Sequence, residues 1–301
     1  MTHQEWLLER QKGIGGSDIS AILGLNPYKT KLDVYHDKMA SKVEDAPNED
    51  MLRGQLLEEF VAQMYGKLAG AEIRKPKRKI FRHRTYDYIR ASVDRFYTDA
   101  SGKDNILECK TSAKKITHDT IYPAWVCQVQ WYMMILGKKT STIVWCCPPG
   151  FSIEWMEIPA SKDFQKYMLE EAKKFWHDHI LAAVPPEPTT AADVARLFPV
   201  SKEEAIHADE SMMDVLGRYS ELSKQEKAIK AEKDQLSDVI RIFMKDYGVL
   251  KYQDQTVATY RTVKDSLTVP SKALEEKYPE IYNELKVVRP GSRRLLVTWG
   301  D

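Results

Sequence analysis

Between residues 104 and 147 the chain changes its period twice, and this constrains the fold more than any other feature. DNILECKTS at 104–112 reads as a strand, PAWVCQVQWYMMIL at 123–136 as a helix, and 140–147 as a strand again. Strand, helix and strand in such short succession predict an α/β chain. Flanking segments agree. TKLDVYHDKMA at 30–40 suits a helix, and 51–69 carries Leu52, Leu56, Leu57, Phe60, Val61 and Met64 at helical spacing. Segments near 79–83 and 88–98 are rich in β-branched and aromatic residues, 152–159 reads as a strand, and 163–183 as a long helix.

The proline-rich stretch VPPEPTTAAD at 184–193 is the clearest break, giving expected domains at 1–190 and 191–301. Past it, Val215, Leu222, Ile229, Leu236 and Phe243 recur every seven residues along a charged helix from 209 to 246. A single apolar seam with balanced charge elsewhere predicts a long arm of antiparallel or coiled-coil type. A hairpin at 248–263, a short helix at 271–278 and a last strand at 293–299 complete an α+β extension.

Composition sets limits on partners. The 301 residues carry 45 basic and 44 acidic side chains, so any attraction for nucleic acid must be local rather than global. No apolar run approaches the roughly 20 residues of a membrane span. The opening MTHQEWLLERQKG lacks the apolar core of a secretory signal, and a cytoplasmic protein is expected. Cys109, Cys127, Cys146 and Cys147 form no CxxC pair, which argues against a disulfide framework or a closed zinc site.

The residues richest in chemistry are Asp94 and the run Glu108-Cys109-Lys110. Alternation along a strand sends Glu108 and Lys110 to one face and Cys109 to the other. If Asp94 ends a neighbouring strand, two carboxylates and an ammonium converge. Such a group suits metal-dependent phosphodiester hydrolysis: carboxylates hold a hard cation such as Mg²⁺, and the lysine orients water and offsets phosphate charge. An isolated E-x-K equally fits an exposed salt bridge. Here Glu58 on the preceding helix is placed to add a ligand, although a solvated helix carboxylate reads the same way. Gln128 and Tyr132, four apart on the next helix, face one site together; Tyr132 fits core packing as well.

Two further stretches bear on binding. In GIGGSD at 13–18, Gly13, Gly15 and Gly16 permit close approach of backbone N–H groups to an anion, Ser17 adds a hydroxyl, and Arg10 suits a terminal phosphate. An ordinary turn explains the glycines equally well. The stretch 71–90 holds eight Lys or Arg and two acids, which fits duplex backbone contacts or a solvated hairpin face.

Taken in order, Asp94…Glu108-x-Lys110 resembles the D…(D/E)xK signature of the restriction-endonuclease-like superfamily. Arg10 with GIGGSD, RGQLLEE at 53–59, ASVDRF at 91–96 and CQVQWYMMILG at 127–137 resemble the elements of its phage exonuclease branch, the YqaJ-like viral recombinases and the lambda exonuclease group. The resemblance covers roughly residues 5–185. Val93 stands where the superfamily motif has proline, a position that carries no chemistry.

The resemblance implies a mixed central sheet flanked by helices. It implies metal ligands at Glu58 (rather than Glu59), Asp94, Glu108 and the Cys109 backbone carbonyl, with Lys110 catalytic and Mg²⁺ as cofactor, Mn²⁺ substituting. Arg10 and Ser17 would hold the 5′-phosphate, with Gln128 and Tyr132 beside the DNA. The implied activity is 5′→3′ digestion of one strand of linear duplex DNA to 5′-mononucleotides, leaving a 3′ strand for a single-strand annealing protein. A ring-shaped trimer and a phage or prophage origin in a bacterial host are implied too. The Gln128-x-x-x-Tyr132 spacing also resembles RecB-like nucleases, some with an iron–sulfur cluster, but the cysteines here do not suit one. A structure- or site-specific endonuclease of the same superfamily, and a non-catalytic DNA-binding or assembly module, are the competing readings.

Overall fold

The computed structural model describes residues 2–42, 49–99, 102–147, 150, 152–289 and 291–299. By contacts the chain divides into two compact units between Leu197 and Phe198, beyond the proline-rich stretch where the sequence suggests a boundary. The short helix that follows the prolines belongs to the first unit: Thr30 donates its hydroxyl to Asp193 at 2.9 Å, and Arg196 pairs with Asp33 at 2.7 Å.

The first unit opens with three helices, α1 (His3–Gln11), α2 (Gly16–Ile22) and α3 (Lys31–Met39), followed by the long α4 (Glu49–Ala69). Sequence periodicity identifies the last two and misses the first two. In α1 the helix starts because Thr2 and Glu5 form a reciprocal capping box, and Thr30 with Asp33 does the same for α3. Strands β1 (Glu72–Arg74), β2 (Phe81–Arg82), β3 (Arg90–Ala91), β4 (Arg95–Thr98) and β5 (Asp104–Thr111) follow. Next come α5 (Pro123–Leu136), β6 (Thr140–Cys146), β7 (Ile153–Pro159), α6 (Lys162–Phe175) and α7 (Ala191–Leu197). Pro123 opens α5 and Gly137, at φ 66°, closes it. The helix expected over 163–183 is α6 continued by a π-helical turn at Trp176–Leu181.

Five strands form one mixed sheet in the order β1-β4-β5-β6-β7. Only the β5–β6 pair is parallel, the geometry that the intervening α5 crossover permits. The two faces bury different cores. Ile106 and Ile143 point toward α2, α5 and α6, among Trp131, Met133, Met168 and Phe175. Leu107 and Val144 point toward α4, among Val61, Ala62 and Tyr65. The mixed sheet with helices on both faces is the α/β architecture anticipated from the sequence. The 88–98 segment is not one strand: it breaks into β3 and β4, with Asp94 in the bend between them.

The second unit contains α8 (Glu210–Met244), capped by the Asp209 side chain, a hairpin of β8 (Val249–Tyr252) and β9 (Gln255–Thr259), and short helices α9 (Ser271–Lys277) and α10 (Pro279–Leu285). The heptad seam of α8 stays exposed along its length, from Val215 to Phe243. The strand expected at 293–299 does not form; those residues run without a ladder partner among the described residues. No helix among the described residues is long and apolar enough to cross a membrane.

Candidate active site

Strand alternation places the chemistry. With Ile106 facing α5, Glu108 and Lys110 face it too, while Cys109 packs toward α4. Lys110 Nζ donates to Glu108 Oε1 at 2.7 Å and to Gln128 Oε1 on α5 at 2.8 Å. Gln128 Nε2 in turn donates to Glu108 Oε1 at 2.6 Å and to the Tyr132 hydroxyl at 2.7 Å. Tyr132 is buried, so its ring packs in the core while its hydroxyl serves this network. From the bend before β4, Asp94 Oδ2 accepts the Cys109 backbone N–H at 2.9 Å.

All eight side chains singled out in the sequence border one cavity of about 370 Å³: Arg10, Ser17, Glu58, Asp94, Glu108, Lys110, Gln128 and Tyr132. Of the adjacent acids on α4, Glu58 lines it and Glu59 does not. Arg95 binds both, with Glu59 at 2.9 Å and Glu58 in closer contact. Lys75 adds a second cation to Glu59 at 2.9 Å. Arg95 therefore holds Glu58 in an ion pair, a feature the sequence reading did not include.

The electrostatics are those of crowded acids. Burial, then the Glu108 charge, raises the Asp94 carboxyl well above its ordinary range. Burial likewise raises Glu108 against the opposing pull of Lys110. For Glu58, burial and the nearby Asp94 charge outweigh Arg95, and its pKa also rises. Burial disfavours the Lys110 ammonium, yet Glu108 and Asp94 outweigh it and hold the amine charged.

One oxygen in this network lacks a permanent donor. Among the described residues Glu108 Oε2 is buried and accepts no N–H or hydroxyl hydrogen bond, the carboxylate's other polar neighbour being the Asp94 carboxyl, although Oε1 accepts two. Leaving such an oxygen unsatisfied is costly, and an ion is one explanation for it. Two facing acids that resist joint ionisation and an orphaned oxygen fit a hard divalent cation. Among the described residues no three His, Cys, Asp or Glu side chains are arranged as a ready cage for a metal. Glu58, the third acid of the expected ligand set, is committed to Arg95.

At the other end of the cavity, Arg10 donates to Ser17 Oγ at 3.2 Å, with its guanidinium 4.8 Å from the centre of the Trp6 ring. The glycines here serve packing. A Cβ on Gly16 would lie 2.7 Å from Gln128 Cγ and from Tyr132 Cε1, and one on Gly13 would collide with the Tyr88 carbonyl. The Gly15 N–H is taken by Asp18 at 3.0 Å, so the loop is not an open nest of donors. Beneath it lies a cluster that sequence reasoning missed. Asp18, 1% exposed, pairs with Lys38 at 2.6 Å and Lys29 at 3.0 Å. Lys38 also donates to the Arg10 carbonyl at 3.0 Å, tying the end of α1 to the start of α2. Asp18 stands inside GIGGSD, but nothing in the sequence marks Lys38, 20 residues on.

The basic stretch at 71–90 is partly neutralised in place. Arg74 pairs with Asp104, Lys75 with Glu59, Arg82 with Glu9 and Asp87, and the buried Arg90 with Glu9.

The YqaJ-like viral recombinase domain matches residues 5–139, which contain every side chain of this cavity. The uncharacterized protein YqaJ of Bacillus subtilis (strain 168) is 30% identical over 300 residues, spanning 95% of this chain and 91% of that protein. Among solved structures, the alkaline exonuclease LHK-Exo of Laribacter hongkongensis is similar at 16% identity and a TM-score of 0.48, covering 60% of this chain and 93% of its own. A phage-related exonuclease from Haemophilus somnus 129PT is similar at 16% identity and a TM-score of 0.41, covering 57% and 96%. With the B. subtilis relative aligned over nearly its whole length and the domain match enclosing the cavity, the chain belongs to the family of YqaJ-like viral recombinases.

Proposed function

We propose that the protein is a divalent-metal-dependent exonuclease that digests one strand of linear duplex DNA from its 5′ end. The observation that carries this reading is the buried Glu108 Oε2, without a permanent donor among the described residues, beside Asp94 and Lys110 in the same cavity as Arg10 and Ser17. Membership of a viral recombinase family supports action on DNA. Glu108, Asp94 and the Cys109 carbonyl would hold Mg²⁺ or Mn²⁺, with Glu58 joining once released from Arg95. When bound, the cation supplies Lewis-acid polarisation of the scissile phosphoryl group.

The chain's own residues do the rest. Lys110 sets a positive charge beside the position where negative charge grows on the phosphate. Gln128 fixes the direction of that ammonium. Arg10, backed by Trp6 and bonded to Ser17, presents a guanidinium fork suited to a terminal phosphate. Digestion would release 5′-mononucleotides and leave a 3′ strand for a single-strand annealing protein, in the cytoplasm of a bacterial host. The first unit would carry the nuclease and the second an accessory region, in an assembly of several copies, a trimer by family resemblance. Cations of the 71–90 stretch would contact the duplex backbone.

The test is digestion of a linear duplex with a 5′-phosphate on one strand and a 5′-hydroxyl on the other, with Mg²⁺, with EDTA, and beside a closed circle. Metal-dependent loss of the phosphorylated strand alone, abolished in Lys110→Ala, is expected. Cutting of the circle would make the protein an endonuclease, and binding without cutting would make it a DNA-binding module.

A further inference from the structure

Beside the candidate active site lies a second cavity of about 880 Å³, for which the reaction outlined above has no use. The two share Ser17, Lys110, Thr111 and Gln128, so they adjoin at those side chains. Their charge differs sharply. Four carboxylates border the first cavity, those of Asp18, Glu58, Asp94 and Glu108. Among the described residues that border the second there are two cations, Arg53 and Lys110, and no Asp or Glu.

Its rim is aromatic. Tyr122, the residue before α5, and Trp125 in the first turn of that helix have ring centroids 5.0 Å apart and planes at 70°. They form a corner, and neither has a face-to-face stacking partner among the described residues. Tyr28 meets the Tyr122 hydroxyl while remaining 83% exposed. Past Lys110, Thr111 and Ser112 add hydroxyl donors at the end of β5.

Aromatic faces alternating with cations and hydroxyls, without acids, is the chemistry that holds single-stranded nucleic acid: rings stack on bases and cations track phosphates. The volume is that of a pocket for a ligand of nucleotide size. Direction follows from the proposed nuclease reading, on which this inference rests. Arg10 borders the first cavity alone, with the carboxylates, while Ser17 borders both, so we place the terminal nucleotide in the first cavity and the remaining strand in the other. We propose that the second cavity is the subsite for the nucleotide on the 3′ side of the cut bond, its base against Tyr122 and Trp125 and its phosphate toward Arg53 and Thr111.

The experiment uses the full chain carrying Glu108→Gln to prevent turnover. The ligand is a 5′-phosphorylated duplex with 2-aminopurine at the second nucleotide or, as control, at the twelfth. Binding should quench emission at the second position and leave the twelfth unchanged. Trp125→Leu and Tyr28→Ala should reduce that quenching and weaken binding, by about tenfold for Trp125→Leu, as expected for loss of one base–aromatic stack. Trp125→Phe should restore both. Tyr28 is exposed, so its variant reads the subsite even if Trp125→Leu does not fold. Digestion of the same duplex by the unsubstituted chain with Mg²⁺ separates the two ideas. If the chain digests DNA but quenching and affinity are unaltered in the folded variants, the subsite is wrong and the nuclease stands. If it digests nothing, the nuclease reading falls and this subsite with it.

Discussion

The side-chain amide of Gln128 holds both members of the E-x-K pair: its Oε1 accepts from Lys110 Nζ at 2.8 Å, and its Nε2 donates to Glu108 Oε1 at 2.6 Å. An amide is the group that can do both, because it carries an acceptor and a donor on one planar end. Helix α5 thereby sets the direction of an ammonium that belongs to β5. Gln128→Leu keeps the bulk and removes both bonds. It should slow single-turnover digestion of duplex DNA by about 10–100-fold, the usual cost of losing a supporting hydrogen bond at a metal site. Affinity for the DNA end should change far less. An equal loss in binding and turnover would show that Gln128 acts on DNA directly.

Gly16 sits where α2 crosses α5, and a methyl there would come within 2.7 Å of Gln128 Cγ and Tyr132 Cε1. Neither neighbour is free to yield, since Gln128 and Tyr132 are bonded to each other. Gly16→Ala should therefore cost roughly 1–3 kcal/mol of stability by overpacking. Turnover should fall with it, because the displaced amide also orients Lys110. Denaturant unfolding and turnover measured on one sample check the two effects together. Gly15→Ala is the control: its Cβ would meet only Asp18 Oδ2, at 3.6 Å. It should be close to neutral on both counts.

What the sequence makes legible follows the reach of its signals. Strand period alone predicts that Glu108 and Lys110 share a face, and helical period alone pairs Gln128 with Tyr132. Both hold because each concerns residues of one element. The helices α1 and α2 escape periodicity because α1 carries its apolar residues as the contiguous run Trp6, Leu7 and Leu8, and α2 has only seven residues. Asp94 lies in a bend rather than at a strand end, for its carboxylate is fixed by the Cys109 N–H and not by a ladder. The ion pair between Glu58 and Arg95 joins residues 37 apart, and Lys38 reaches Asp18 across 20. Such contacts are set by packing, which no local pattern encodes. The final segment at 293–299 has strand composition yet no strand beside it among the described residues, and composition without a partner makes no sheet.

Metal should register in stability as well as in turnover. A cation that binds the folded state alone stabilises it by about 2.7 kcal/mol at a concentration a hundredfold above its Kd. For a chain of this size that corresponds to a rise in Tm of about 4 °C or more. Mg²⁺ should therefore raise the melting temperature of the unsubstituted chain, and EDTA should reverse the change. Glu108→Gln loses the orphaned anionic oxygen, and in that variant the shift should vanish while the fold persists. A shift of equal size in both chains would place the ion elsewhere.

The Asp18 cluster makes the start of the chain dependent on pH. Burial alone would raise this carboxyl, but the ammonium groups of Lys38 and Lys29 and the charge of Arg10 outweigh it and hold the pKa far below the usual range. Burial acts on Lys38 in the opposite balance, lowering the ammonium's pKa despite Asp18. A folded-state pKa below the unfolded value means that Asp18 stabilises the protein above the unfolded pKa of about 3.9. That contribution is lost progressively as the pH falls below it. Asp18→Asn removes the anion and leaves the Lys38 ammonium buried without its counter-charge, at a cost of about 3–5 kcal/mol near neutral pH. As the pH falls from about 4 toward 2 the variant should lose less stability than the unsubstituted chain, since one titrating carboxyl is gone. Asp18→Asn combined with Lys38→Met should recover much of the loss, because neither charge is then stranded. Urea unfolding of the three chains at pH 7 and pH 3 tests each part. If Lys38→Met brings no recovery, Asp18 stabilises the chain chiefly through its bond to the Gly15 N–H.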